Sequence, residues 1–266
     1  MNLSNMVLKI QNLGYNIEDA RARVCQDIVL KAIEKSSLSG NVTIKGGVVM
    51  RSITKNIRRA TQDIDIDFIR YALSDETIDL FVEKLNCIDG IRIKRFGKIE
   101  DLRQQDYKGK RVYIHITDID GNLIESKIDL GVHKHIEIRQ EEYCFDIAFD
   151  NEGASLLINT REQMFAEKLR SLLKFGVFST RYKDIYDMYY QCGKMDVRIL
   201  TYCLQTFIFA DLGMRENSVD EIVRRVESVF HDNTHKQRVD KSDKRWIDDD
   251  INSVFTGIVE YLKSIN

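Results

Sequence analysis

The feature that most constrains the fold is a strict alternation of acidic and apolar residues from position 63 to position 68. The stretch reads DIDIDF, so Asp63, Asp65 and Asp67 each precede an apolar side chain. Successive side chains of a strand leave by opposite faces, so the pattern predicts a strand with three carboxylates on one face. Like charges this close repel one another. The fold must therefore supply a positive partner from the chain or from a bound cation.

Purely structural roles account for the three aspartates less well than binding of a cation does. An exposed strand face usually mixes charges of both signs. A calcium loop of the EF-hand type needs glycine and an acid where Phe68 and Ser74 stand. Helix capping conflicts with the interleaved β-branched residues. A divalent cation held by carboxylates remains, and Mg²⁺ is the natural candidate because it prefers oxygen ligands and bridges to phosphates.

A pair of glycines lies just before the acidic strand. The strand-like segment NVTIK ends at Gly46-Gly47, and VVMRSITKNI then has a helical pattern. Two glycines allow a bound group to approach the backbone closely, and a helix N-terminus presents free N–H groups to an anion. The segment is neither a Walker loop nor a Rossmann fingerprint. The glycine pair followed by DxD on the next strand is a stronger signal than either alone.

The remaining pattern predicts an α+β chain with a change of character near residue 158. Helices are predicted at 17–36, 75–86, 160–176 and 181–193, and over most of 196–266. Strands are predicted near 91–96, 111–117, 123–131, 143–149 and 154–158, with a hairpin turn at Asp120-Gly121. The polar segment 231–251 is predicted to be a loop or surface excursion. The predicted domains are 1–158 and 159–266.

Composition excludes some classes of protein. The formal net charge is −2 over 266 residues, so any contact with nucleic acid has to come from a local basic patch. No apolar run approaches the roughly 18 residues of a membrane span, and the N-terminus shows no secretory signal. The five cysteines form no CxxC pair, which favours reduced thiols in the cytoplasm.

Several segments together resemble a known family. Lys45-Gly46-Gly47, Arg51, Thr61 and Asp63-Ile64-Asp65 are similar to the first motif of the DNA polymerase β-type nucleotidyltransferase superfamily. The specific resemblance is to AbiEii-type toxins of abortive-infection and toxin–antitoxin systems, which are relatives of the MenT toxins. The segments 164–173 and 181–190 match as well, so the resemblance covers about residues 40–192. It implies a minimal nucleotidyltransferase core, a mixed sheet flanked by helices, in residues 1–158, followed by an α-helical domain.

The resemblance implies roles for the acidic residues. Asp63 and Asp65 would bind Mg²⁺ that bridges to the triphosphate, and Asp67 would be an accessory ligand or a supporting group. Two-metal transfer normally uses a third carboxylate on a neighbouring strand, and Asp129 in KIDLGV has the same acid–apolar alternation. We therefore predict that Asp129 binds metal and helps to deprotonate the acceptor hydroxyl. The alternative is an ordinary acid at a strand end.

Phosphate contacts are predicted from backbone and basic residues. Gly46 and Gly47 would bind phosphate through their N–H groups. Arg51 would belong to a basic cluster suited to a triphosphate or an RNA acceptor, together with Lys55, Arg58 and Arg59. A solvated loop is the alternative for the last two of these residues.

Two predicted site residues lie in the helical part of the chain. The resemblance implies that Lys168 contacts phosphate, while the alternative is a lysine whose stem covers the edge of the core. Asp184 matches a late acidic motif and would orient Lys168 or line the site. Asp187 is predicted to be a structural partner of Arg181 or Lys183.

The function implied is an NTP-dependent nucleotidyltransferase acting as an intracellular toxin, with a role in phage defence. The acceptor implied is RNA, specifically the 3′ end of tRNA, and the partner implied is a cognate antitoxin protein. Two alternatives stay open. One is nucleotide transfer to a small molecule or a protein side chain, and the other is an NTP-binding module without turnover.

Overall fold

The computed structural model describes residues 1–102 and 109–265, which form two compact units, Met1–Asn159 and Thr160–Asn266. The first unit contains a mixed β-sheet with helices, and the second is helical in its described residues. The α+β class predicted from the sequence is therefore confirmed. No helix within the described ranges has the length and apolar character needed to cross a bilayer.

The sheet of the first unit has seven strands in the described residues, in the order β3-β4-β5-β2-β1-β7-β6. The strands are β1 (Val42–Lys45), β2 (Ile64–Ile69), β3 (Ile91–Leu102), β4 (Gly109–Asp118), β5 (Leu123–His133), β6 (Glu141–Ile147) and β7 (Asp150–Ile158). β2 pairs with β5 in parallel, and so does β1 with β7, while the other neighbours are antiparallel. The parallel β2–β5 pair brings two acidic segments together that are far apart in the chain.

Four helices accompany this sheet among the described residues. They are α1 (Leu3–Gln11), α2 (Ile17–Lys35), α3 (Gly46–Thr54) and α4 (Asp75–Lys84). α2 is the central one, because Val24 and Ile28 on it are buried and it contacts β5, β6 and β7. α2 begins where the side chain of Asn16 accepts a hydrogen bond from the Asp19 N–H, an N-cap that satisfies a free helix donor.

The two faces of the sheet differ in character, as the alternation in β2 predicts. Ile64, Ile66 and Phe68 are at most 3% exposed, so the apolar side of β2 lies in the core. β4 repeats the pattern, since Val112, Ile114 and Ile116 are buried while Tyr113 and His115 between them are half-exposed. The opposite face carries the aspartates and most of the charged strand residues.

The second unit contains six α-helices within its described residues. They are α5 (Arg161–Phe175), α6 (Tyr182–Gln191), α7 (Val197–Leu204), α8 (Val219–Phe230), α9 (Asn233–Asp240) and α10 (Ile251–Ser264). The Thr160 side chain caps α5, and Asp250 caps α10 through the N–H groups of Asn252 and Ser253. Each cap satisfies N–H groups at the start of its helix that would otherwise lack a partner.

Some local predictions were wrong. The polar segment 231–251 is not only a loop, because it contains α9, which begins at an Asp232 cap and buries His235 and Val239. Tertiary packing of two side chains overrides the polar composition there. α1 was not predicted, although Asn2 caps it and Leu3 is buried. α3 begins at Gly46 itself, so the glycines form the first turn of the helix.

Candidate active site

The strand register places four charged residues side by side across four neighbouring strands. Lys45 of β1 is opposite Asp65 of β2, which is opposite Asp129 of β5, which is opposite Arg111 of β4. We call these four residues the charged row. Its two central members are carboxylates on adjacent strands, and its two outer members are cations. The predicted site residues Asp65 and Asp129 are thus brought together by the fold.

Asp65 has an unfavourable electrostatic environment for an ionised carboxylate. Burial, together with the charges of Asp129, Asp63 and Asp67, raises its pKa to about 6, although the charge of Lys45 acts in the opposite direction. A pKa raised by desolvation and by like charges is typical of a carboxylate placed for a cation or for proton transfer.

The two glycines before α3 make room for side chains of the chain itself. A Cβ atom on Gly46 would lie closer than 3.0 Å to the Asp65 carboxylate, and Gly46 also has a φ of +66°, which favours glycine. A Cβ atom on Gly47 would lie equally close to Oγ1 and Cβ of Thr61. The start of α3 is therefore packed directly against the acidic strand. The phosphate-binding role of the two glycines stays a prediction.

The other three carboxylates each have a cation from the chain. Lys127 Nζ is 2.8 Å from Asp63 Oδ1. Arg111 donates from Nε and Nη2 to the two oxygens of Asp129 at 2.7 Å and 2.8 Å, a two-pronged pairing that raises the pKa of the arginine. Together with the Lys45–Asp67 ion pair, these contacts supply positive charge next to the alternating aspartates.

Asp67 is held inside the protein by a lysine. Lys45 Nζ lies 2.8 Å from Oδ1 and 2.9 Å from Oδ2 of Asp67, and both side chains are less than 10% exposed. Lys45 is also the cation that lowers the pKa of Asp65. Asp67 therefore fixes the position of the ammonium group beside Asp65.

The predicted basic cluster is divided between the interior and the surface. Arg51 and Arg59 are only 3% exposed, whereas Lys55 and Arg58 are exposed. The Arg51 guanidinium lies 4.0 Å from Asp27. Burial raises the pKa of Asp27 to about 6, although the nearby charge of Arg23 acts in the opposite direction. The four residues do not form one exposed patch. Binding of nucleotide by Arg51 stays a prediction.

The predicted residues of the second unit contact one another. Lys168 Nζ is 2.9 Å from Oδ2 of the fully buried Asp187 and also forms an ion pair with Asp184. The lysine side chain is only 10% exposed, so it does more than cover the edge of the core. α5 and α6 together thus hold one ammonium group between two carboxylates.

Three basic residues of the site were missed or given no role in the sequence analysis. Lys45 was recognised as part of a motif without a function, and Arg111 and Lys127 were not identified. Lys127 stands two positions before Asp129, on the same strand face, which is a signal that the sequence does contain. Arg111 becomes visible only when β4 and β5 are paired in the correct register.

The donor chemistry of the site fits a hard divalent cation, although the side chains are arranged around internal cations. Across residues 1–102 and 109–265, no group of three His, Cys, Asp or Glu side chains is already arranged to hold a metal ion. Asp63 and Asp129 form ion pairs with Lys127 and Arg111. Carboxylate oxygens are the ligands that Mg²⁺ prefers. Binding would require these ion pairs to open.

Comparison with known proteins defines the class of this protein. A family model of nucleotidyl transferases matches residues 28–250, a range that includes the acidic strand, the charged row and α5 to α9. The protein is therefore a nucleotidyltransferase. The chain belongs to the family of nucleotidyl transferase AbiEii toxins of type IV toxin–antitoxin systems, as its motifs led us to expect. No match was found among curated proteins.

Proposed function

We propose that this chain, with Mg²⁺, transfers a nucleotide from an NTP to the 3′ hydroxyl of tRNA with release of pyrophosphate, and that this reaction is the toxic activity. The observation that carries the proposal is the adjacency of Asp65 and Asp129 on β2 and β5, directly beside the glycine start of α3. This arrangement combines oxygen ligands with a helix N-terminus that attracts phosphate. Membership of the family supports the nucleotide-transfer chemistry.

The proposed metal ligands are Asp63, Asp65 and Asp129. The chemistry that a bound Mg²⁺ supplies is neutralisation of the triphosphate charge. Lys45 stays beside Asp65 because Asp67 holds it, so this part of the site is preorganised. Preorganised charge stabilises a transition state without reorganisation during the reaction.

Asp129 is proposed to accept the proton of the acceptor hydroxyl. In the structure, both of its oxygens accept hydrogen bonds from Arg111. We propose that Arg111 leaves Asp129 when the substrates bind and then faces a phosphate oxygen, since a guanidinium fork suits phosphate as well as carboxylate. Lys127 would leave Asp63 in the same way. Until then these two cations and Lys45 offset three of the four aspartate charges.

Lys168 is proposed to contact phosphate, with Asp184 and Asp187 fixing the position of its ammonium group. A lysine held by two acids loses little further conformational entropy when it binds an anion. The proposed partner protein is a cognate antitoxin, in keeping with the type IV toxin–antitoxin family. NTP and tRNA are both cytoplasmic molecules, so the cytoplasm is the proposed compartment.

The proposal is tested by incubating the protein with tRNA, Mg²⁺ and each of the four α-³²P-labelled NTPs. Label on the tRNA is expected with wild type. Label is expected to be lost with Asp65→Asn, which keeps the shape and removes the charge, and retained with Asp89→Asn, a matched change at an exposed acid. Parallel reactions contain a protein mixture and aminoglycosides as acceptors. Label on those acceptors alone would refute tRNA as the substrate, and equal labelling by Asp65→Asn would refute the assigned site.

A further inference from the structure

A group of aromatic and basic side chains lies on the same sheet face as the carboxylates, in β3 and β4. Phe96 and His115 stack with their ring centres 3.8 Å apart and their planes 22° apart. Tyr113 lies next to Phe96 with the ring centres 5.8 Å apart. We call Phe96, Tyr113 and His115 the ring cluster. All three side chains are half-buried.

The strand register makes the ring cluster continuous with the candidate active site. Phe96 is opposite Tyr113, and Tyr113 is opposite Lys127, whose Nζ lies 2.8 Å from Asp63 Oδ1. Tyr113 is also two positions along β4 from Arg111, the partner of Asp129. Diagonal neighbours on adjacent strands are roughly 7–8 Å apart. Tyr113 therefore lies about the length of one nucleotide from Asp129, the proposed proton acceptor.

The rings are not needed to build the hydrophobic core of this sheet. The opposite face of β3 and β4 supplies the core through Ile93, Val112, Ile114 and Ile116, which are at most 1% exposed. The ring-bearing face also carries the exposed cations Arg92 and Lys94, with Lys94 opposite His115. Aromatic rings interleaved with cations on an exposed sheet face are the arrangement that stacks bases and neutralises phosphates of single-stranded nucleic acid.

The acidic residues near the rings are already paired with them. Glu100 accepts a hydrogen bond from the Tyr113 hydroxyl at 3.2 Å, and Glu125 lies 3.0 Å from His115 Nε2. These contacts hold the Tyr113 and His115 rings by their polar edges, while Phe96 stacks on one face of His115 and lies tilted against Tyr113. Arg92 and Lys94 balance the two carboxylate charges of Glu100 and Glu125 on this part of the face, and both cations are exposed.

We infer that the ring cluster binds the unpaired 3′ end of the RNA acceptor by stacking its bases. The inference rests on the proposed function, and it names the surface that presents the acceptor to Asp129. A base stacked on Tyr113 would place the sugar of the terminal nucleotide towards the charged row, and Arg92 and Lys94 would contact the phosphates upstream.

The test measures RNA binding by the full chain, separately from catalysis. A fluorescently labelled single-stranded RNA of about ten nucleotides is titrated with protein, and anisotropy gives the Kd. Stacking of one base on an aromatic ring corresponds to roughly a fivefold to hundredfold change in affinity. Tyr113→Leu combined with Phe96→Leu is therefore expected to weaken RNA binding at least fivefold. Tyr143→Leu, at a half-buried ring on the other edge strand β6, is expected to leave the Kd unchanged.

Two further measurements make the test specific. Lys94→Gln is expected to reduce the slope of log affinity against log salt by about 0.7, the value for one phosphate contact to a single strand, whereas Lys35→Gln on α2 leaves it unchanged. Binding of Mg·NTP, measured by calorimetry, is expected to be the same in wild type and in the double ring variant. Thermal unfolding confirms that each variant is folded.

The outcomes separate this inference from the proposed function. An unchanged RNA Kd in the folded ring variant, or no RNA binding by wild type, overturns the inference. Loss of Mg·NTP binding in the ring variant with RNA binding retained also overturns it, because the rings would then hold the base of the NTP. Failure of wild type to bind any Mg·NTP instead counts against the proposed function.

Discussion

Replacing Arg111 with glutamine is expected to tighten the binding of a divalent cation in the absence of nucleotide. Arg111 donates two hydrogen bonds to the oxygens of Asp129, which is one of the proposed metal ligands. A metal ion and the guanidinium therefore compete for the same two oxygens. Glutamine is uncharged and shorter, so it removes the competitor from the site.

The size of the effect follows from the geometry of the ion pair. Hydrogen bonds to charged groups contribute about 1.5–3 kcal/mol to stability. The Arg111 side chain is 26% exposed, which places this pair towards the lower end of that range. A free-energy difference of about 1.5 kcal/mol corresponds to roughly a tenfold change in Kd. We therefore expect about tenfold tighter binding of Mn²⁺ by Arg111→Gln.

The assay is a calorimetric titration of the full chain with Mn²⁺ alone. A matched control exists in the same unit, because Arg95 forms a similar fork with Asp79 through Nε at 2.6 Å. Arg95→Gln is expected to leave the Kd unchanged. If Arg111→Gln is folded and binds Mn²⁺ no more tightly than wild type, the competition between guanidinium and cation is refuted.

Three further predictions concern stability. Gly47→Ala is expected to lower the free energy of unfolding by about 1–3 kcal/mol, because the added Cβ overlaps Thr61, and Thr61→Gly in the same chain should restore most of the loss in urea titrations. The folded pKa of Asp27 is raised to about 6 from 3.8, so its contribution to stability is full below the lower value and lost as pH rises through the upper one. The stability of wild type relative to Asp27→Asn should thus fall by about 3 kcal/mol between these pH values, and a flat difference would contradict the assignment. Asp187→Ala should destabilise the chain by about 3 kcal/mol in chemical unfolding, because it removes a buried partner of Lys168, and a loss below about 0.5 kcal/mol would show that this pair contributes little.

The sequence predicted most of the fold because its local patterns agree with the tertiary structure. The alternation in β2 and the helical spacing in α2 both reflect faces that the structure buries. α9 was missed because its stability comes from packing of His235 and Val239 and not from a visible apolar stripe. Element boundaries at the glycine pair were also imprecise, since α3 starts on Gly46.

The candidate site was predictable to the extent that it is local in sequence. Asp63, Asp65 and the glycines are close together in the chain and were recognisable as one motif. Arg111 lies on a different hairpin strand, and its pairing with Asp129 depends on a register that only the assembled sheet defines. The burial of Arg51 could not be predicted, because a short amphipathic helix does not show from sequence which of its basic residues meets a buried acid.

The parallel pairing of β2 with β5 also has a consequence for biosynthesis. Asp65 and Asp129 become neighbours only after the whole β3–β4 hairpin has been made and β5 has joined the sheet. β1 gains its second neighbour later still, when β7 pairs with it at Ile158. A nascent chain on the ribosome therefore carries the acidic motif long before it carries the assembled pair. The topology therefore delays assembly of the Asp65–Asp129 pair until translation of the first unit is nearly complete.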